Sequence, residues 1–440
     1  MSNFFINEFP PSSSAAWKQK IQFELDGADY NQKLLTKTNE GITISPFYHL
    51  DTFEKLTIPL PKEDYKICTK ISISSEEMAN IEALKATEND STALLFEASK
   101  PFNPTLLFHN LLQKNIEFHF KFNFLDEGFI NKLVLKLADE TAYFNIDIIG
   151  NLARTGNWFK SLKKDNSILK NLIKDNSDSF IISIDTTIYQ NAGANTVQQI
   201  AYALAHTNEY LTVFGDEIAN RIQFKFATGS NYFFEIAKIR AFRYLYNLIL
   251  GEYNTTAIAK IYTEPSLRNK TLFGATINTL RTTAESMSAI LGGSTTIAIN
   301  FTSGEFVENQ QLVLMDKLSF KNAQHIATDS YYIEYLTKQL AEKALIIFKD
   351  IERSGGFLSQ LKEGTIQRKI KENAQKEQAQ FDAGNLVLLG TNKYSNEFDS
   401  KEDLQINPSL KGTSYKTLII PITPKRLAKK LEQKRIKDEA

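Results

Sequence analysis

Ile116-Glu-Phe-His-Phe-Lys-Phe122 decides the fold: seven residues that alternate strictly between apolar and polar. Side chains on a strand point to opposite faces in turn, so Phe118, Phe120 and Phe122 share one face and Glu117, His119 and Lys121 the other. The same alternation recurs. Asn145 and Asp147 interleave with Phe144, Ile146 and Ile148, Ser183 and Asp185 with Ile182 and Ile184, and Gln223 and Lys225 with Ile222, Phe224 and Phe226. Strand-like runs fall at 93–98, 116–122, 143–149, 180–186, 221–227, 271–277 and 295–302, with helical patterns between them at 104–114, 158–174, 194–213, 231–252 and 281–292. Strands alternating with helices predict a parallel sheet with crossover helices. Seven runs, with an eighth unrecognised, fit a (β/α)8 TIM-type barrel better than a short open sheet. The apolar faces then meet the helices and the polar faces meet the barrel axis. Axes of this kind are usually filled by branched apolar side chains. A polar axis is either a ligand channel or a closed network of paired charges, and the network is the expectation here. Glu117, Asp147 and Asp185 are expected to pair with Lys121 or Lys225, or to see water, because single buried charges are costly.

Composition limits the function. The 440 residues are 42% apolar and 11% aromatic, enough for a large core, and 51 basic residues balance 51 acidic ones. No basic excess points to nucleic acid. Cys68 is the one cysteine, which excludes an intramolecular disulfide and a cysteine-rich metal site and leaves a reduced structural thiol as the expectation. The N-terminus lacks a basic, apolar leader pattern and no apolar run is long enough for a bilayer, so a cytoplasmic protein is expected. No Gly-rich dinucleotide fingerprint and no nucleophile–base motif argue for a stand-alone dehydrogenase or hydrolase.

The chain divides into three expected parts. Residues 1–75 form an N-terminal arm and lead-in segment, including a helix from Trp17 to Leu25 and a strand over 41–48. Residues 76–330 form the barrel. Residues 331–440 form a helical extension packed on it, with a long amphipathic helix from Tyr331 to Arg353, a short strand at Asn385 to Leu389, a polar loop over 395–417 and a basic terminal helix within Pro424 to Asp438.

Arg281-Thr-Thr-Ala-Glu-Ser-Met-Ser-Ala-Ile-Leu-Gly-Gly293 resembles the "RTT-x-EAM-x-A-x-x-GG" segment of cobalamin-dependent acyl-CoA mutases, the methylmalonyl-CoA mutase family above all. Trp17 to Tyr48, Gln190-Asn-Ala-Gly-Ala194 with Ala201 to Ala205, and Ala227 to Ala241 resemble further segments of that family in the same order. So do Ser330 to Thr337, Ile351 to Gly356 and Asp382 to Tyr394. The resemblance implies a barrel that works with adenosylcobalamin on acyl-CoA substrates.

The departures are equally specific. Where the family carries a histidine ahead of "QEAGA", this chain has Ile188, which can neither donate a hydrogen bond nor move a proton. Residues 70–115 contain no arginine, so the family's Tyr- and Arg-rich segment has no counterpart. None of His49, His109, His119, His206 and His325 stands in the Asp-x-His-x-x-Gly pattern of a cobalt ligand. The resemblance therefore implies a barrel with no cobalamin-binding domain, similar to the small, non-catalytic subunit of the family's heterodimers. Its catalytic large subunit would hold adenosylcobalamin and the acyl-CoA. No residue of this chain is assigned a catalytic, cofactor-binding or metal-binding role. Two other readings stand beside it: the catalytic barrel of a split mutase with its cobalamin domain on a separate chain, and an acyl-CoA-binding or chaperone-like barrel without turnover.

Individual residues have plainer expectations. Arg281 and Glu285 are expected to pair along a helix or to make a packing contact, Gly229 and Ser230 to cap a helix, His119 to be a satisfied interior histidine, and His206 to lack catalytic company.

Overall fold

The computed structural model describes residues 11–299, 323–396 and 416–438. Eight parallel strands close into a barrel in sequence order. They are β1 (Lys66–Ser72), β2 (Ala93–Ala98), β3 (Glu117–Phe122), β4 (Ala142–Ile146), β5 (Phe180–Asp185), β6 (Ile222–Thr228), β7 (Lys260–Pro265) and β8 (Thr296–Ala298). The (β/α)8 expectation holds, with two strands reassigned. The unrecognised strand is β1, which lies ahead of residue 76. Residues 271–277 do not form a strand: Gly274 sits at φ 82° and a helix begins at Ala275, and β7 takes the place instead. The terminal run 295–302 forms β8 over its first residues, and residues 300–302 lie outside the described set.

The outward faces carry a wall of aromatic rings. Phe96, Phe118, Phe120, Phe144 and Phe224 are fully buried in the principal core between sheet and helices. Each such ring contributes about 1.5–3 kcal/mol of burial, so this layer drives closure. The helices that position the interior are α1 (Ile148–Thr155), α2 (Thr187–Ala192), α3 (Thr196–Phe214), α4 (Tyr232–Glu252), α5 (Ala275–Gly292) and α6 (Tyr331–Arg353). Their starts are written locally. Asp147 caps α1, and Asn195 and Gln198 form a reciprocal capping box on α3.

Buried ion pairs tie the helices to the loops over the strands. Lys270 lies 2.6 Å from Glu285 of α5, which also accepts from Asn269 at 2.5 Å. Arg240 of α4 pairs with Glu334 of α6, and Lys238 pairs with Glu235. The expected Arg281–Glu285 pair is not made. Arg281 instead donates to Asn278 Oδ1 at 2.7 Å and to the Leu389 carbonyl at 2.6 Å. Arg243 of α4 donates to the carbonyls of Ala259 and Gly293, the second at the C-terminus of α5, where a cation meets the negative end of the helix dipole. Burial pulls its guanidinium down to about 9.

Outside the barrel, the lead-in forms a helix at Ser14–Glu24 and a two-stranded ladder of Thr36–Lys37 with Thr43–Ile44. Helix Thr365–Asp382 lies against the turn between α2 and α3. The approach is so close that a Cβ at Gly193 would come within 2.5 Å of Ala374 Cβ, and Gly193 is at φ 108°. The span 385–389 makes only an isolated bridge between Leu389 and Lys393, and the terminal helix runs Lys429–Asp438. The expected loop at 395–417 falls mostly outside the described residues. Among the described residues no helix is long and apolar enough to cross a membrane.

Candidate functional site

The strands aim their polar residues at the axis, as the alternation predicts. In the middle layer, His119 Nδ1 meets Gln223 Oε1 across the barrel at 3.2 Å, and its ring stacks on Tyr143 at 4.6 Å. Nε2 stands 3.5 Å from Glu117, at the edge of hydrogen-bonding reach. Burial pulls the imidazole below its ordinary value, against the opposing charge of Glu117. Leu95, His119, Tyr143, Gln223 and Tyr262 are each 3% exposed or less. Side chains lining a water-wide channel would show surface to it, so the described axis is closed. Cys68, Ala93, Leu95, Tyr262 and Ala298 form a separate small apolar cluster inside the barrel. Burial pushes the Cys68 thiol up to about 12, which leaves it inert.

The carboxyl ends of the strands, where barrels of this type place their chemistry, form a charged mouth. Glu97 of β2 lies 2.7 Å from Lys121 of β3 and 3.2 Å from Lys70 of β1. Burial alone would raise the Glu97 carboxyl, but the two ammonium groups outweigh it and hold it at about 2. Asp185 of β5 accepts from Thr187 N at 3.1 Å and Thr187 Oγ1 at 2.5 Å, and Arg154 stands 3.9 Å away. The partners therefore differ from those expected: Lys121 goes to Glu97, and Asp185 turns to α2. Lys225 of β6, 6% exposed, lies over the Tyr262 ring at 5.1 Å. Lys121, Asp185 and Lys225 line a recess of about 20 Å³ that also has Asn145, Asp147, Arg154 and Ser183 in its wall. Asn145 is a non-glycine residue at φ 53°, beside an irregularity in the β4–β5 register. Its Oδ1 is buried with no hydrogen-bond partner.

Asp147, at the end of β4, turns away from the axis cations. It accepts from Gly150 N at 2.7 Å, Asp185 N at 2.9 Å and Tyr210 Oη at 2.8 Å, and meets His206 Nε2 at 3.0 Å. His206 Nδ1 lies 3.1 Å from Tyr189 Oη. His206 thus has company that sequence reading denied it, because Asp147 and Tyr189 come from other elements than its own helix. Burial opposes ionisation of Asp147, but the His206 charge and the donated hydrogen bonds win and hold its carboxyl below the ordinary range. His206, Tyr189 and Tyr210 are sealed from solvent. This chain fixes α1, α2 and α3 to one another, and only Asp147 of it reaches the wall of the mouth recess.

Ile188, at the histidine position of the resemblance, is buried in the apolar core on α2. Ser230 does not cap α4; it meets Asn269 Nδ2 at 2.5 Å. Among the described residues no cluster of His, Cys, Asp and Glu could hold a metal. A larger cleft, about 540 Å³, lies between the lead-in segment and α6, lined by Tyr48, Phe53, Tyr335 and Lys338, remote from the axis.

Fold and site define a (β/α)8 barrel whose axis is plugged by its own polar side chains. The methylmalonyl-CoA mutase family model matches residues 135–419, and the chain belongs to that family. It is 30% identical over 89% of its length to the methylmalonyl-CoA mutase small subunit of Porphyromonas gingivalis, covering 71% of that protein. It is 33% identical to the methylmalonyl-CoA mutase of Cereibacter sphaeroides over 48% of this chain and 33% of that one. It is 30% identical to the human mitochondrial methylmalonyl-CoA mutase over 50% of this chain and 32% of that one.

Proposed function

We propose that this chain is the non-catalytic small subunit of a cytoplasmic heterodimeric methylmalonyl-CoA mutase. Its large subunit would interconvert methylmalonyl-CoA and succinyl-CoA by a radical mechanism, supplied by adenosylcobalamin bound to that subunit. The observation that carries the reading is the filled axis, with Ile188 in the core where the resemblance calls for a histidine. The long match to a small subunit supports it. The described mouth does not fit the cofactor, since about 20 Å³ is room for little more than a water. No step of the reaction is assigned to this chain.

In this role residues 1–75 serve as arm and lead-in, 76–330 together with β1 as barrel, and 331–440 as extension. The contribution is physical. An obligate interface buries a large, mostly apolar area, and a subunit that binds only the folded partner stabilises it by mass action.

The test is the native mass and composition of the protein purified from its own cells. A one-to-one complex with a larger, cobalamin-bearing mutase chain is expected. A homodimer, or a complex with only a small cobalamin-binding chain, would overturn the reading in favour of a split-mutase barrel.

A further inference from the structure

Lys225 and Asn145 each bring an unspent polar atom to the same recess. Lys225 is buried, and among the described residues its ammonium has no hydrogen bond or ion pair, only the Tyr262 ring at 5.1 Å and the nearby charges of Asp185 and Glu264. Asp185 spends its carboxylate on Thr187 N and Oγ1. Asn145 is buried too. Its Nδ2 donates to the Tyr143 carbonyl at 3.2 Å, while its Oδ1 has no partner. Its backbone stands at φ 53° where the register between β4 and β5 shifts. A non-glycine residue keeps that conformation only where its surroundings hold it there. Buried polar atoms of both kinds, a donor and an acceptor, call for partners.

The recess of about 20 Å³ has both residues in its wall. A single water needs about 10–15 Å³ of such space and two to four polar partners. The wall carries Lys121, Arg154 and Lys225 but also Asp147 and Asp185, so an ion of either sign would meet its own charge. A neutral molecule that accepts on one side and donates on the other meets neither objection. We propose that the recess binds one ordered water, which accepts from Lys225 Nζ and donates to Asn145 Oδ1, and so joins β6 to β4 across β5. Its second hydrogen has acceptors in Ser183 and Asp185 of β5, on the same wall. A bridging water is nearly as good as a direct hydrogen bond. It lets the axis stay closed around a charge that no side chain meets. This site is independent of the small-subunit reading.

The first test is a crystal structure of the full chain, with any partner it carries, grown in sodium bromide and recorded at the bromine edge. One peak within hydrogen-bonding distance of both Lys225 Nζ and Asn145 Oδ1, without anomalous signal, is expected. Lys225 bonded directly to Asp185 or Asn145 with no such peak overturns the proposal, and an anomalous peak there overturns it in favour of a halide. The second test needs no crystal. Urea unfolding of Lys225→Met, Asn145→Gly and the double variant closes a cycle, each variant being checked for native far-ultraviolet circular dichroism. Glycine takes the φ of Asn145 without strain, so the backbone does not confound it. The two substitutions should depart from additivity by about fivefold in the unfolding constant, as positions sharing a partner do. Asn145→Gly combined with Lys62→Met, beside the amino ends of the strands, should be additive. Additivity between Lys225 and Asn145 as well overturns the bridge.

Discussion

Lys270 and Lys225 are both buried lysines, one in the helical shell outside the sheet and one at the mouth inside it, and they are treated oppositely. Lys270 lies against Glu285 and Asn269, each of them also buried. Among the described residues Lys225 has an aromatic face and the nearby charges of Asp185 and Glu264, but no ion pair or hydrogen bond. Burial pulls Lys270 down and pushes Glu285 up, each opposed by the other's charge. The matched pair thus fixes a register at little net gain, whereas an unmatched charge is held for a ligand or tolerated by solvent. The shell carries the segments that resemble the family, and Ile188, where the resemblance calls for a histidine, is buried in the apolar core.

The largest effect should come from breaking a matched pair. Lys270→Met leaves Glu285 charged and buried, so stability should fall by about 3–5 kcal/mol, read from urea midpoints. Lys270→Met with Glu285→Leu should recover most of that loss. A double variant no better than the single one would show that packing, not charge matching, dominates the shell.

Asp147 should rank next. Asp147→Asn removes the charge from four contacts, at a cost of about 1.5–3 kcal/mol. The pH dependence has a fixed sign. The folded carboxyl lies below its ordinary value of 3.8, so its stabilisation is present above that pH and is lost as the pH falls through the folded value. Wild type should therefore lose stability more steeply than Asp147→Asn below pH about 4. Parallel acid titrations would mean that His206 and Tyr210 add nothing to that carboxylate.

Much of this was legible beforehand. The alternation in 116–122, 182–185 and 222–226 gave the strand faces, because period-two patterns survive even where the inner face is charged. Register partners were not legible. Which acid Lys121 or Lys225 meets depends on neighbouring strands and on whether a side chain such as Asp185 bends back to cap its own loop. The two missed strands share a cause. Lys66–Ser72 and Lys260–Pro265 carry Lys, Thr and Glu among few apolar residues, so they read as linker, while Thr271 to Ile277 looks β-like but contains the positive-φ Gly274. The company of His206 is invisible locally, since Asp147 precedes it by 59 residues (206 − 147).

Ile188→His tests whether the chain lacks only a histidine at this position or an open axis as well. Placing an imidazole in an apolar site should cost about 1–3 kcal/mol. The variant chain, given acyl-CoA and adenosylcobalamin, should show no turnover, because the axis remains filled by His119, Gln223 and Tyr262. Turnover would mean that the axis opens in solution and would move the chain toward the split-mutase reading.

The smallest change should come from the mouth lysine. Lys225→Met removes a desolvated ammonium and leaves Asp185 with Thr187 and Arg154, and Glu264 with the charges of Lys70 and Lys121. A flexible thioether of similar length fills the space over Tyr262. Stability in anion-free buffer should stay within about 1 kcal/mol of wild type or rise, the opposite of Lys270→Met although both lysines are buried. Burial brings the Lys225 ammonium down to about 8, so the folded value lies below the unfolded one. Its charge therefore destabilises the fold below pH 8, and that penalty fades as pH rises toward the unfolded value. The gain from Lys225→Met should accordingly be greatest near neutral pH and shrink in alkaline buffer. A loss of several kcal/mol instead would mean that Asp185 swings to Lys225 in solution, and the distinction between a matched shell and an unmatched mouth would collapse.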